Sequence, residues 1–228
     1  MSRGYFVAGT DTGVGKTLVS CALLRAFAAQ GKSAVGMKPV AAGCENSALG
    51  LLCEDVEHLM AAGNVAAPRE LVNPYAFCPP VAPHIAAAQA GAEIRLEHIA
   101  ESFARLRALA EVVVVEGVGG WRVPLNERED AADLARRLGL PVILVVGMRL
   151  GCLNHALLSA AAVEASGLKL AGWVANRIDP AMPVFEENLR TLEKRLAAPL
   201  LGVVPHYPRP DAAAAAVCLR LNRLSVGG

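Results

Sequence analysis

A glycine-rich loop between an apolar run and a helical pattern constrains this chain more than any other feature of its sequence. The loop is Gly9-Thr10-Asp11-Thr12-Gly13-Val14-Gly15-Lys16-Thr17. After it, apolar residues recur at helical spacing until Gly31, a residue type that often ends helices. Between a strand and a helix, such a loop directs backbone N–H groups and the helix dipole at phosphate oxygens. We expect Lys16 to reach the β- and γ-phosphates of a nucleotide and the Thr17 hydroxyl to bind Mg²⁺.

The loop departs from the usual pattern G-x-x-x-x-G-K-[ST] at its first position. That position is Thr10, and Gly9 comes one residue early. An ordinary glycine-rich turn that contains Gly-Lys-Thr by chance is therefore an alternative. The apolar run before the loop and the helical pattern after it favour the phosphate-binding interpretation, because the motif requires that context.

Short apolar runs alternate with helical patterns along the rest of the chain. The predicted strands are Tyr5–Ala8, Ser33–Met37, Val112–Val115, Pro141–Val146, Leu170–Ala175 and Leu200–Val204. Strands that are apolar on both faces and separated by helices indicate a parallel sheet covered on both sides. We therefore predict an α/β fold with a doubly wound, mostly parallel sheet flanked by helices. We expect a single domain over residues 1–228, with an irregular loop region at about 41–83.

The composition gives no electrostatic reason to expect a nucleic acid or membrane partner, since 22 Lys and Arg residues balance 21 Asp and Glu residues. The longest apolar run, Leu138–Met148, is far shorter than the ~20 residues of a membrane span. The six cysteines show no C-x-x-C spacing in a chain that is large enough to fold without bridges. We expect free, buried thiols and a cytoplasmic location.

Charged residues stand at or near the ends of predicted strands. The carboxyl ends of parallel strands share one edge of the sheet, where ligands bind. Lys38 and Glu116 each follow a strand directly, and a carboxylate in the position of Glu116 usually binds Mg²⁺ opposite a phosphate loop. A solvated lysine and an ordinary turn residue are the alternatives. Asp55, at the start of a predicted helix, is either a metal ligand or only a partner of the helix dipole.

Asn176-Arg177-Ile178-Asp179 also follows a strand and resembles the N-K-x-D element with which GTPases recognise guanine. Arg177 replaces the lysine of that element. An Asp side chain can only accept hydrogen bonds, which suits guanine more than adenine. The alternative is a polar turn in which Asn176 alone touches the base, so the sequence leaves ATP and GTP both open.

These motifs together resemble the dethiobiotin synthetase family. The matching segments span nearly the whole chain in order: Gly9–Thr17, Lys38-Pro39-Val40, Asn73-Pro74-Tyr75, Pro83-His84, Glu116-Gly117-x-Gly119-Gly120, Leu150-Gly151-Cys152-x-Asn154-His155 and Gly172-Trp173-Val174-x-Asn176. The resemblance implies a P-loop NTPase fold and a homodimer. It also implies a reaction in which ATP and Mg²⁺ drive the carboxylation of 7,8-diaminononanoate by CO₂. A phosphorylated carbamate then closes into a ureido ring.

The resemblance assigns roles to individual positions. Lys16 and Lys38 would hold the carbamate and the γ-phosphate, as the catalytic residues. The metal ligands would be Thr17, Asp55 and Glu116. The nucleotide would contact Thr12, Gly13, Val14, Gly15, Lys16, Thr17, Leu18, Asp55, Glu116, Gly117, Val118, Gly119, Asn176, Arg177, Pro205, His206 and Tyr207. The substrate would contact Thr12, Lys38 and Ala42 and, from the partner subunit, Gly151, Cys152, Leu153 and Asn154.

Two positions depart from the family pattern, and three other protein classes compete with it. Ala42 stands where the family usually has Ser or Thr, and Val118 stands where the family usually has Ala.

Each competing class would need a feature that this sequence lacks. A switch-type partitioning ATPase would carry a lysine in place of Asp11. A small-molecule kinase would need an arginine-rich lid, and the region 41–83 contains only Arg69. A cobyrinate-type synthetase would need a glutaminase domain, for which 228 residues leave little room.

Overall fold

The computed structural model of the chain describes residues 3–48 and 50–224. Its strands are β1 (Arg3–Gly9), β2 (Ala34–Met37), β3 (Val40–Ala42), β4 (Glu45–Ser47), β5 (Gly50–Leu52), β6 (Tyr75–Phe77), β7 (Val112–Glu116), β8 (Val142–Gly147), β9 (Leu170–Asn176) and β10 (Leu200–Val204). Its helices are α1 (Lys16–Ala29), α2 (Glu54–Ala62), α3 (Arg69–Val72), α4 (Pro83–Gln89), α5 (Leu96–Leu109), α6 (Ala131–Leu138), α7 (Cys152–Ala165), α8 (Phe185–Arg195) and α9 (Ala212–Val217), followed by a 3₁₀ turn at Leu221–Arg223.

Six strands form the central sheet in the order β10-β9-β8-β1-β7-β2. All neighbouring pairs are parallel. The chain passes from β1 to the edge strand β2, returns to β7, and then continues through β8 on the other side of β1. This reversal confirms the predicted doubly wound α/β fold. It also places the carboxyl ends of β1, β7 and β2 side by side, where ligand sites form in such sheets.

The sheet separates two hydrophobic clusters because side chains alternate between its faces along each strand. In β1, Tyr5 and Val7 belong to the cluster beneath α1, which packs between α2 and α9. Phe6 and Ala8 belong to the cluster on the opposite face, which α5, α6, α7 and α8 cover. Helices on both faces explain why the central strands are apolar at nearly every position. Across residues 3–48 and 50–224, every helix is too short or too polar to cross a membrane.

The segment at about 41–83, where we expect an irregular loop region, contains several short elements. β3 pairs in parallel with β6, and β4 pairs with β5 as an antiparallel hairpin. The helix α2 follows the hairpin and packs against α1 and β2. This segment therefore lies over the edge of the sheet at β2, close to the end of β1.

The structure corrects the prediction that the cysteines are free, buried thiols. Cys44 and Cys53 form a disulfide, with their Cα atoms 4.4 Å apart, and the free Cys78 is exposed. Cys44 lies just after β3, and Cys53 is the residue before α2. The hairpin between them brings the two sulfurs together, and cysteine spacing alone gave no indication of that hairpin.

Candidate active site at the carboxyl edge of the sheet

The glycine-rich loop joins β1 to α1 and wraps around the first turn of the helix. Gly13 and Gly15 have φ angles of +73° and +87°, which only glycine adopts without strain. The Lys16 ammonium donates to the carbonyl oxygen of Asp11 at 3.0 Å and is almost fully buried. Burial is the largest cause that lowers the pKa of Lys16 to about 8, and the charge of Lys38 is the next largest. Lys16 therefore remains mainly protonated at neutral pH and available to phosphate.

Asn176, at the end of β9, is held against this loop. Its side-chain amide donates to the carbonyl oxygen of Val14 at 2.8 Å, and the pair is buried. A side chain at Gly15 would overlap the Asn176 amide. The loop therefore requires glycine at this position for two reasons, the positive φ angle and the close approach of Asn176.

The Lys38 ammonium joins two carboxylates beside the loop. Its Nζ lies 2.6 Å from Glu116 Oε1 and 2.7 Å from Asp55 Oδ2. The Thr17 hydroxyl completes the cluster, at 2.8 Å from Asp55 Oδ1 and 2.9 Å from Glu116 Oε1. Lys38 is 4% exposed and Glu116 is 1% exposed. Four side chains from different elements thus meet at one point next to Lys16.

Each side chain of this cluster comes from a residue at or next to the end of a strand or helix. Glu116 is the last residue of β7, and Asp55 lies in the first turn of α2. Lys38 follows β2, where its backbone N–H donates to Val72 O at 2.8 Å. Its carbonyl oxygen accepts from the Asn73 side chain at 2.7 Å. These backbone contacts fix the direction in which the Lys38 side chain leaves the sheet.

The electrostatics of the cluster favour a charged Lys38 and would also favour a further cation beside Glu116. Burial alone would lower the pKa of Lys38, but Glu116 and Asp55 outweigh burial and raise it. Burial also opposes ionisation of Asp55, yet Lys38 and the hydrogen bonds to it lower the Asp55 pKa. The pKa of Glu116 is raised, chiefly by burial and further by Asp55, while Lys38 opposes the shift. Additional positive charge would therefore stabilise the Glu116 carboxylate.

The oxygen atoms of this cluster fit a magnesium ion. Glu116 Oε2 is buried without a hydrogen-bond partner, so it has a free lone pair for a ligand. Two carboxylates and a hydroxyl are hard oxygen donors, and Mg²⁺ typically uses one or two carboxylates together with phosphates and water. Within residues 3–48 and 50–224, no group of three or more His, Cys, Asp or Glu side chains could hold a metal. A Mg²⁺ ion at this site would take its remaining ligands from phosphate oxygens and water.

A cleft of about 690 Å³ opens over the phosphate loop and the Lys38 cluster. Its lining residues are Thr12, Gly13, Gly15, Lys16, Thr17, Lys38, Ala42, Asp55, Pro80, Val81, Ala82, Pro83, Glu116, Val118, Gly119 and Val123. The lining includes the charged cluster and also the apolar residues between β6 and α4. A cleft with this lining can contact both an anionic group and an aliphatic chain.

Comparison with known proteins identifies the family. A family model described as an AAA domain (AAA_26) matches residues 3–214. The ATP-dependent dethiobiotin synthetase BioD of Nitrosospira multiformis is 58% identical over 226 residues, which are 99% of this chain and 98% of that protein. BioD of Aromatoleum aromaticum is 59% identical over 219 residues, with 96% and 97% covered. This chain belongs to the dethiobiotin synthetase family.

Solved structures outside the dethiobiotin synthetase family share the fold. The MinD cell division protein of Aquifex aeolicus gives a TM-score of 0.59 at 16% identity, with 99% of each chain covered. The septum site-determining protein MinD of Pyrococcus horikoshii, complexed with Mg-ADP, gives 0.54 at 16% identity, covering 98% of this chain and 89% of that one. At this level of identity the likeness shows a P-loop NTPase fold and nothing about activity.

Several positions that the synthetase resemblance assigns to the nucleotide are not among the residues that line the cleft. Among the described residues, these are Val14, Leu18, Gly117, Asn176, Arg177, Pro205, His206 and Tyr207. Leu18 and Tyr207 each pack against the cluster beneath α1, while Pro205 and His206 are exposed. Their roles stay predictions.

The element predicted to recognise a base has partners of its own. The Arg177 guanidinium lies over the Phe185 ring, 4.9 Å from its centroid. Asp179 Oδ1 accepts from the backbone N–H of Ala181 at 2.9 Å. Asp179 thus stabilises a local turn, which supports the alternative in which Asn176 alone approaches the nucleotide.

The segment that the synthetase resemblance assigns to the substrate lies at the start of α7. Gly151 precedes the helix in a left-handed conformation (φ +94°). Cys152 is buried, whereas Asn154 is exposed. Among the described residues, Gly151, Cys152, Leu153 and Asn154 do not line the cleft of their own chain.

Sequence reasoning assigned no role to two groups of residues near the synthetase site. Pro80, Val81, Ala82 and Val123 are apolar residues of the cleft lining, and no motif marks them. Arg149 forms an ion pair with Asp11 of the phosphate loop at 2.6 Å. Its position just after the strand β8 was a signal that could have placed it at this edge of the sheet.

Proposed function

We propose that this chain is an ATP-dependent dethiobiotin synthetase, a cyclo-ligase that forms carbon–nitrogen bonds. It would convert 7,8-diaminononanoate and CO₂ to dethiobiotin in the cytoplasm. The observation that carries the proposal is the meeting of Lys38, Thr17, Asp55 and Glu116 beside the Lys16 loop. Membership of the family indicates which substrate is used, and the cluster provides the charges that the reaction needs.

The phosphate loop would hold the nucleotide through its backbone N–H groups and the N-terminus of α1. Lys16, which donates to a loop carbonyl in this structure, would turn to the β- and γ-phosphates. We propose ATP as the nucleotide and Asn176 as the residue nearest its base, with Arg177, Pro205, His206 and Tyr207 around it. The engagement of Asp179 with Ala181 supports ATP over GTP.

Thr17, Asp55 and Glu116 would hold Mg²⁺. The ion would neutralise negative charge on the phosphates. In this structure the Lys38 ammonium supplies the positive charge between the two carboxylates. The N–H donors of Lys38 would shift toward the anionic substrate when the metal binds.

The chemistry requires a lysine at the position of Lys38. One amine of the diamine adds to CO₂ and loses a proton to become a carbamate, which attacks the γ-phosphorus of ATP and displaces ADP. The second amine then attacks the carbamic–phosphoric anhydride, which closes the ureido ring and releases phosphate. Negative charge gathers between the carbamate and the phosphate, and fixed cations stabilise it in a closed site. Lys16 and Lys38 would be those cations, and no covalent nucleophile is needed.

We propose that the substrate-binding site is completed by a second copy of the chain in a homodimer. Thr12 and Ala42 line the cleft, but Gly151, Cys152, Leu153 and Asn154 lie at the start of α7, away from it. A partner chain could present that segment to the carboxylate tail of the diamine. Leu150 and Leu158, next to and within α7, are 94% and 63% exposed, as expected of apolar residues that an interface covers.

The test is a turnover assay with purified protein, the diamine, bicarbonate, Mg²⁺ and either ATP or GTP. We expect dethiobiotin by mass spectrometry and one ADP per product, with ATP preferred. ADP release should depend on the diamine. Hydrolysis at the same rate without the diamine, and no dethiobiotin, would reject the synthetase in favour of a simple ATPase.

A further inference from the structure

Asp11 puts a negative charge into the loop that would bind an anion. Its Oδ1 accepts from the backbone N–H of Thr12 at 2.7 Å, and its carbonyl oxygen accepts from Lys16 at 3.0 Å. The side chain and the backbone carbonyl of Asp11 therefore both accept hydrogen bonds within the loop and help to hold its conformation. Left uncompensated, the same charge would repel a polyphosphate bound by the loop.

Arg149 is placed to compensate that charge. Its Nη2 lies 2.6 Å from Asp11 Oδ2. The two residues are 138 positions apart in the chain, and the end of β8 brings them together. There the backbone N–H of Gly147 approaches the Thr10 hydroxyl at 3.4 Å, two residues before Arg149. Both charged side chains are about half exposed, at 44% and 45%, and an exposed ion pair of this kind adds little to folding stability.

We infer that Arg149 is a positioning residue for the nucleotide, whose guanidinium neutralises Asp11 and holds its carboxylate on the Thr12 amide so that the loop accepts a nucleoside di- or triphosphate. The inference rests on the proposed nucleotide role of the loop. Arg149 acts through Asp11, because the guanidinium is engaged with that carboxylate and lies outside the lining of the cleft.

The test is a double-mutant cycle read out by calorimetric binding of MgADP. Arg149→Met leaves the Asp11 charge unpaired, and we expect it to weaken binding about fivefold. Asp11→Asn removes the charge and keeps an oxygen for the Thr12 amide. The double variant should therefore bind within about twofold of Asp11→Asn, because the arginine then has no charge left to neutralise.

Two further measurements separate this role from a structural one. The weakening caused by Arg149→Met should shrink when the salt concentration rises from about 0.05 to 0.5 M, because salt screens exposed charges. In turnover assays the KM for ATP should rise, with kcat within about twofold. Lys32→Met is the matched control. Its ion pair with Glu111 is 51% exposed on both sides and lies near the amino ends of the strands, so MgADP binding should not change.

The outcomes are distinct. If Arg149→Met binds MgADP as the unmodified protein does, the inference is overturned. If the double variant binds as weakly as Arg149→Met, the arginine contacts the phosphates directly, and the inference is overturned as well. An unmodified protein that does not bind MgADP would contradict the proposed function, and the inference would fall with it.

Discussion

Lys38 and Glu116 are 78 positions apart in the chain, and Lys38 Nζ lies 2.6 Å from Glu116 Oε1 at the buried edge of the sheet. The pair exists because β2 and β7 are neighbours that end at the same level, with Met37 in register with Val115. Breaking a buried ion pair leaves one charge without compensation. The two residues therefore depend on each other, and on any cation that the site receives.

Replacing Lys38 by Met should remove turnover while leaving nucleotide binding largely intact. The substitution keeps an unbranched side chain that is one atom shorter, but removes the cation proposed to stabilise the carbamate and the transferring phosphate. We expect kcat to fall at least about a hundredfold, and MgADP affinity to change only a few-fold because Lys16 remains. Steady-state kinetics and calorimetry measure the two effects, with Lys32→Met as the control. Near-normal turnover would contradict the catalytic role of Lys38 and leave it only its buried ion pairs with Glu116 and Asp55.

Replacing Glu116 by Gln should raise the Mg²⁺ concentration needed for half-maximal activity by about tenfold or more. The amide keeps the shape of the side chain but removes the charge and one oxygen donor. A Mg²⁺ titration at saturating nucleotide measures the change. Glu111→Gln, on the half-exposed Lys32 pair, is the matched control. An unaltered titration would take Glu116 out of the metal site.

Gly15→Ala should disrupt the phosphate loop more severely than Gly13→Ala. Both glycines have positive φ angles, which cost a residue with a side chain about 1–2 kcal/mol. Only at Gly15 does the added carbon meet an obstacle, the Asn176 amide, since the space at Gly13 is open. We expect Gly15→Ala to abolish MgADP binding and Gly13→Ala to retain it at reduced stability. Equal effects in calorimetry and denaturant unfolding would argue against the Asn176 contact.

Removing the disulfide between Cys44 and Cys53 should lower the free energy of unfolding by about 2–3 kcal/mol, because a short loop is no longer closed in the unfolded chain. The variant is Cys44→Ser with Cys53→Ser, compared with Cys78→Ser, which alters an exposed free thiol. Urea unfolding measures stability. Alkylation and mass spectrometry under non-reducing conditions should find four free thiols, and six would contradict the disulfide.

Leu158→Glu should convert a dimer into monomers. The charge would be buried in the proposed interface along α7, where an unpaired charge is strongly unfavourable. Size-exclusion chromatography with light scattering measures the mass, and activity should fall with dissociation if the partner supplies the segment at Gly151. The control is Val217→Glu on α9, at an apolar position that is even more exposed. A monomeric unmodified protein at tens of micromolar would reject the homodimer.

The sequence by itself determined the local features. The phosphate loop, the helix that follows it and the buried strands come from patterns within short stretches of chain, and the ordered motifs pointed to the family. The positions of Lys38 and Glu116 after strands were enough to predict that they lie at one edge. Local preference and periodicity encode such features directly, because neighbouring residues determine them.

Only the tertiary structure decided which of these residues touch. The sequence gives no order for the strands, and the observed order places β7 between β1 and β2, so Glu116 lies between Thr17 and Lys38. The Asn176 contact with Val14 and the Asp11–Arg149 pair arise in the same way. Each joins residues whose proximity depends on the packing of the whole sheet, and no local pattern can specify such a distance.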